Sequence, residues 1–249
     1  LGHGALYYNT TANDNTALGF AALQTNTTGV NNTAVGKSSM YANTTGNSNT
    51  AVGYGSLDAN TEGLRNVAMG AESLGANTTG DDNVAIGEDA LAANTTANNN
   101  TAVGTDALKL NTTGYDNVAV GRNALDANTT AHSGVAIGES ALTSNTTGIR
   151  NTAVGQNSLA TCTTGTENTA IGQNAANDIT TGNYNCAMGQ NALAVCSTGS
   201  SNVAIGVNAL DACTTANSNT GIGTSSLTDV TTGAGNCALG ASAGVNITT

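Results

Sequence analysis

Asn83-Val84-Ala85-Ile86-Gly87 decides the fold, because it returns with small changes every 17 residues: Asn100-Thr101-Ala102-Val103-Gly104 follows, then Asn117-Val118-Ala119-Val120-Gly121. Its glycine recurs at that spacing in fifteen places from Gly2 to Gly240, always preceded by Leu, Val, Ile or Met. A period that never slips by a residue points to stacked coils, each able to bury its apolar side only against the next.

With Asn15 as position 1, the repeat reads N-T/V-A-V/I-G-x-x-A-L-x-x-N-T-T-G/A-x-x through fourteen copies, Gly134 replacing the first Asn once. Residues 1–14 supply most of a fifteenth coil. Charge locates the outside: of the 21 charged residues, 20 fall at positions 6, 7, 10, 11, 16 and 17, Glu62 being the exception. The seven aromatic residues lie in the same variable set. Positions 2 to 4 are short, apolar and β-branched at alternate places, which predicts a strand. Gly at position 5 then gives the bend its backbone freedom. Gly, Asn and Thr fill the repeat without a 3.6-residue period, which excludes a helix. The expectation is an all-β chain, a parallel β-solenoid of about fifteen 17-residue coils in one array over 1–249, roughly 70 Å long at ~4.8 Å per coil.

Two columns bear on the interior. Position 12 is Asn in nine copies and Cys, Ile or Val in the rest, an exchange that belongs inside. Asn26, Asn43, Asn60, Asn77, Asn94, Asn111, Asn128 and Asn145 are therefore expected to form a buried amide ladder. The Asn-Thr-Thr sequons at Asn26 and Asn94 are then closed to glycosylation. Positions 2, 4 and 9 are assigned to the core. Position 3 is Ala in thirteen of fourteen copies, with Gly221 the other. If positions 2 and 4 point inward, position 3 points out. An outward residue that never varies suggests an inter-chain face, here Ala17, Ala34, Ala51, Ala68, Ala85, Ala102, Ala119 and Ala136.

Composition narrows the function classes. Net charge is −11 with five basic residues, so no basic surface exists to hold phosphates, and nucleic acid is not an expected partner. No apolar run approaches the ~20 residues that cross a bilayer. No nucleophile–base motif, phosphate loop or zinc spacing appears, so neither catalysis, cofactor nor metal is expected. His3 and His132 sit in exposed turns, and the carboxylates at Asp81-Asp82 and Glu88-Asp89 are read as solvated. Cys162, Cys186, Cys196, Cys213 and Cys237 all fall at positions 12 or 2 and are read as small buried hydrophobes, with Cys196 and Cys213 one coil apart.

The blocks Asn83-Val84-Ala85-Ile86-Gly87 and Asn202-Val203-Ala204-Ile205-Gly206 resemble the head repeats of trimeric autotransporter adhesins. The longer pattern Asn-Thr-Ala-Val-Gly, Ala-Leu, Asn-Thr-Thr-Gly also resembles repeats of phage tail fibres and bacterial surface fibres. The resemblance implies a left-handed β-roll, a homotrimer, an extracellular location and a structural or adhesive role with a cell-surface or glycan receptor. The chain begins and ends within a repeat, as expected for a window of a longer fibre. The alternative is an ice-binding solenoid using Thr ladders at positions 13 and 14; a solenoid lyase is disfavoured because its clustered carboxylates and bases are lacking.

Overall fold

The structure, a computed structural model, describes residues 1–248. No helix occurs among them. The chain forms two compact units, Leu1–Asn123 with Asn128–Thr130, and Ala124–Ala127 with Ala131–Thr249. The first holds β1 (Thr16–Leu18), β2 (Thr33–Val35), β3 (Thr50–Val52), β4 (Val67–Met69), β5 (Val84–Ile86), β6 (Thr101–Val103) and β7 (Val118–Val120). The second holds β8 (Val135–Ile137), β9 (Thr152–Val154), β10 (Thr169–Ile171), β11 (Cys186–Met188), β12 (Val203–Ile205), β13 (Thr220–Ile222) and β14 (Cys237–Leu239).

Within each unit the strands pair in chain order, all parallel, each residue facing the one 17 positions on. Each unit is thus a parallel β-solenoid. Residues 1–14 carry no strand but stack on the coil that follows, Leu6 N–H donating to the Ala22 carbonyl at 3.1 Å and Tyr8 N–H to Gln24 at 3.0 Å. The strands are only three residues long; the rest of the coil is turns, whose amides also bond to the neighbouring coil. Leu91 N–H, for example, donates to Ala107 at 3.0 Å. The turn backbone is satisfied partly coil to coil and partly within the turn, as where Asn94 N–H donates to the Leu91 carbonyl at 3.1 Å.

The turns depend on left-handed backbone. Gly at position 5 has φ between 124° and 142° throughout, a region closed to residues with a Cβ. Positions 7, 9 and 17 hold non-glycine residues near φ +55°, including the buried leucines, such as Leu108 at 51°. Left-handed leucine is unusual. Its cost, about 1 kcal/mol or more each, is offset because the bend drives the side chain to the centre of the coil: Leu23, Leu57, Leu74, Leu91 and Leu108 are fully buried.

The orientation of the strands is opposite to the expectation. Ala34, Ala51, Ala68, Ala85, Ala102, Ala119 and Ala136 are fully buried within their own coils, and Ala17 nearly so. They face inward and offer nothing to a second chain. Their invariance is set by crowding inside a narrow coil. The exception shows this directly: a Cβ placed on Gly221 would lie 3.1 Å from Ser226 Oγ and 3.4 Å from Leu210 Cγ, the residues of positions 8 and 9. Only a methyl fits there. Positions 2 and 4 consequently leave the core and point outward, half-buried or exposed in every strand. The core is built from positions 3, 8 and 9 together with asparagine.

Candidate interaction face and internal ladders

In the first unit the position-12 asparagines stack as a ladder. Asn43 Nδ2 donates to Asn26 Oδ1 at 2.8 Å and to the Gly46 carbonyl at 3.1 Å. The same pair of bonds recurs at Asn60 and Asn77, at Asn94 and Asn111, and Asn128 donates to Asn111 at 2.7 Å. In the second unit, Asn145 donates to Gly148 at 3.0 Å. All eight are buried. From Asn26 to Asn111 both amide hydrogens are used, one along the stack and one back to the turn, so each of these rungs fixes register as well as filling space. Asn26 and Asn94 stand in sequons but are sealed inside the coil.

A second ladder, at position 1, went unrecognised in the sequence, although Asn occupied that column almost without exception. Asn49 Oδ1 accepts the backbone N–H of Asn66 at 2.9 Å, and Asn66 Nδ2 donates to Gly80 at 2.8 Å. The Gly80 carbonyl also accepts from Asn77 Nδ2 at 3.0 Å. Both lone pairs of that carbonyl are therefore filled, and the two ladders meet on it. From Cys162 onward the position-12 column is apolar, but the thiol imitates the amide: Cys162 Sγ–H donates to Gly165 at 3.6 Å.

Burial pushes the Cys162 thiol up to about 11 from its ordinary 9.0. The folded chain then keeps a proton that the unfolded chain sheds near pH 9. By linkage, stability falls as pH rises from about 9 towards 11. Urea unfolding at pH 8 and pH 10 checks this: the wild-type midpoint is expected to drop more than that of Cys162→Val, and equal drops would remove the assignment.

The outward side of the sheet carries a column of apolar side chains in each unit. In the first, position 4 carries Leu18, Val35, Val52, Met69, Ile86, Val103 and Val120; in the second it carries Ile137, Val154, Ile171, Met188, Ile205, Ile222 and Leu239. Met69 is 42% exposed, Ile86 38% and Ile137 41%. Position 2 adds Thr, Val or Cys beside them, and no charged residue occurs in either column. Half-buried and exposed apolar side chains aligned coil after coil differ from the scattered ones of an ordinary surface.

The charges lie on the turns and tie successive coils together. Arg65 Nε stands 2.6 Å from Asp82 Oδ1, and Lys109 Nζ 2.8 Å from both Asp89 and Asp106. Arg150 Nη1 donates to Glu167 at 2.5 Å. The Asp106 and Asp89 carboxylates hold the Lys109 ammonium well above its usual range, and Arg65 holds Asp82 below its own. Such exposed pairs are screened by solvent and contribute little to stability. Asp81 accepts the Leu64 N–H at 2.7 Å, so the carboxylates at 81, 82 and 89 already have partners. No group of His, Cys, Asp and Glu suited to a metal ion occurs among the described residues, and no cavity opens there.

The threonine ladders differ from one another. At position 13 the hydroxyl is consumed by the next coil, as Thr44 Oγ1 donating to the Thr61 carbonyl at 3.0 Å. At position 14 the threonines, such as Thr45 and Thr79, are exposed. Compared with known proteins, the chain matches no family model, no curated protein and no solved structure.

Proposed function

We propose that this chain is a non-catalytic segment of an extracellular fibre, a structural or adhesive element of the kind that trimeric adhesin heads and tail fibres resemble, and that it assembles as a homotrimer through the outward face of its sheet. The observation that carries the reading is the uncharged Val/Ile/Leu/Met column at position 4, running the length of each unit with its threonine and valine neighbours. Three copies turning that face to a shared axis would remove it from water while leaving the acidic turns outside, where a net charge of −11 keeps neighbouring fibres apart. Binding to a cell-surface or glycan receptor belongs to the same proposal and would use the turns. It includes neither a nucleic-acid partner nor membrane insertion; no helix among the described residues is long and apolar enough to cross a membrane.

Light scattering on the purified chain tests it. The expected mass is near three chains. Ile86→Glu with Ile137→Glu, both outward, is expected to give a monomer whose far-ultraviolet circular dichroism is unchanged, because neither side chain helps to fill the coil. A wild-type monomer at all concentrations would overturn the trimer.

The ice-binding alternative keeps only the exposed position-14 column, since the position-13 hydroxyls are already bonded. Thermal hysteresis of the wild-type chain is the measurement for it, and none is expected.

A further inference from the structure

We infer that Cys196 and Cys213 are joined by a disulfide that links two successive coils of the second unit through their interior. The two residues occupy position 12 in neighbouring coils, and their sulfurs lie 3.0 Å apart, both fully buried. The coils around them are in register: Ser197 N–H donates to Thr214 at 2.8 Å, and β12 and β13 pair residue for residue. In-register parallel neighbours have their Cα atoms about 5 Å apart, inside the span that a disulfide bridges without backbone movement. The other thiols are badly placed to compete. Cys162 is two coils from Cys196 with Ile179 between them, and Cys186 and Cys237 are on the outward strand position.

The location gives the bond a purpose. From Asn26 to Asn128 the position-12 column is held by amide-to-amide bonds. Beyond Asn145 those rungs are gone, and the column offers only Cys, Ile and Val. A disulfide restores one rung as a covalent link and closes a 17-residue loop in the unfolded chain.

The chemistry needs an oxidant, and a small-molecule disulfide such as oxidised glutathione is the class proposed. The Cys196 thiolate attacks one sulfur of the reagent, whose S–S bond breaks and releases one thiol equivalent. The Cys213 thiol gives its proton to water or buffer, and its sulfur then attacks Cys196 Sγ, forming the protein bond and releasing the second equivalent. Two cysteines thus lose two electrons and two protons, and the reagent becomes two thiols. Because neither sulfur reaches solvent in the folded coil, the exchange takes place while these coils are still open during folding. The inference rests on the oxidising setting of the fibre reading and is independent of the trimer.

The test is to refold the full chain in a reduced and oxidised glutathione buffer, then count thiols with Ellman's reagent in denaturant and map fragments by mass spectrometry. Expected are three titratable thiols of the five, a chain two hydrogens lighter, and a fragment linking Cys196 to Cys213. The bond should persist in Cys186→Ser and in Cys237→Ser. Reduction should lower the urea midpoint of the wild type and leave that of the Cys196→Ala/Cys213→Ala double variant unmoved. Five free thiols in a chain with native circular dichroism, or a bridge through any other pair, would overturn it. Light scattering on the same samples reads the trimer separately: a monomer carrying the bridge supports this inference and removes only the assembly proposal.

Discussion

Alanine at Gly104 is expected to destabilise the first unit by about 3 kcal/mol or more, a large part of the stability of a typical domain. Two independent costs combine. Gly104 has φ +135°, where only glycine is at ease. An added Cβ would also stand 2.6 Å from the Gly121 carbonyl oxygen of the next coil, and that oxygen is backbone, with no flexible end to swing away. The clash is with the stacking itself, so relief requires the two coils to part. Urea unfolding followed by circular dichroism reads the effect, with Thr105→Ala, one residue on in the exposed turn, expected within about 0.5 kcal/mol of wild type. A Gly104→Ala midpoint equal to wild type would mean that the coils tolerate separation at position 5.

Leucine at Asn77 is the second large effect, expected to cost about 2–5 kcal/mol. Leucine has the same branching and is more apolar, so simple burial would predict a gain. The ladder reverses the sign. Asn77 Nδ2 donates to Asn60 Oδ1 at 2.9 Å, and its own Oδ1 accepts from Asn94 Nδ2 at 3.0 Å. Removing the amide strands an acceptor below and a donor above, each in an interior that excludes water. The Gly80 carbonyl suffers less, because Asn66 still donates to it. Thr79→Ala, on the exposed column two residues away, is the control. If Asn77→Leu proves stabilising, the ladder contributes register but no net free energy.

The period, the parallel solenoid, the charged turns and the buried position-12 amides were legible because each leaves a column signature: charge clusters where water is, and Asn exchanges with Cys and Ile where it is not. The facing of the strand was not. A Thr-Ala-Val triplet alternates equally well in either sense, and the usual rule that the larger apolar residues point inward put Val103 in the core and Ala102 outside. The interior has room for little beyond Leu108 and the asparagines, so the methyl of Ala102 fits and the isopropyl of Val103 does not. That limit comes from the coil's cross-section, which depends on left-handed leucines that no propensity scale anticipates. The position-1 ladder was missed for a related reason. An Asn next to a strand reads as turn punctuation, and its second role, as a side-chain acceptor for the next coil's backbone, appears only when the coils are stacked.

The position-12 column has a consequence for how such a chain can change. Each rung bonds only to its neighbours above and below, so an isolated apolar residue among asparagines creates two mismatched junctions. A whole block of apolar residues creates mismatched junctions only at its boundaries, whatever its length. The sequence is arranged in blocks: Asn at every position-12 residue from Asn9 to Asn145, then Cys162, Ile179, Cys196, Cys213, Val230 and Ile247. The natural unit of variation here is therefore the boundary between two phases of one column. Moving that boundary by a coil, as in Cys162→Asn or Asn145→Cys, should cost far less than the same exchange made in the middle of either block.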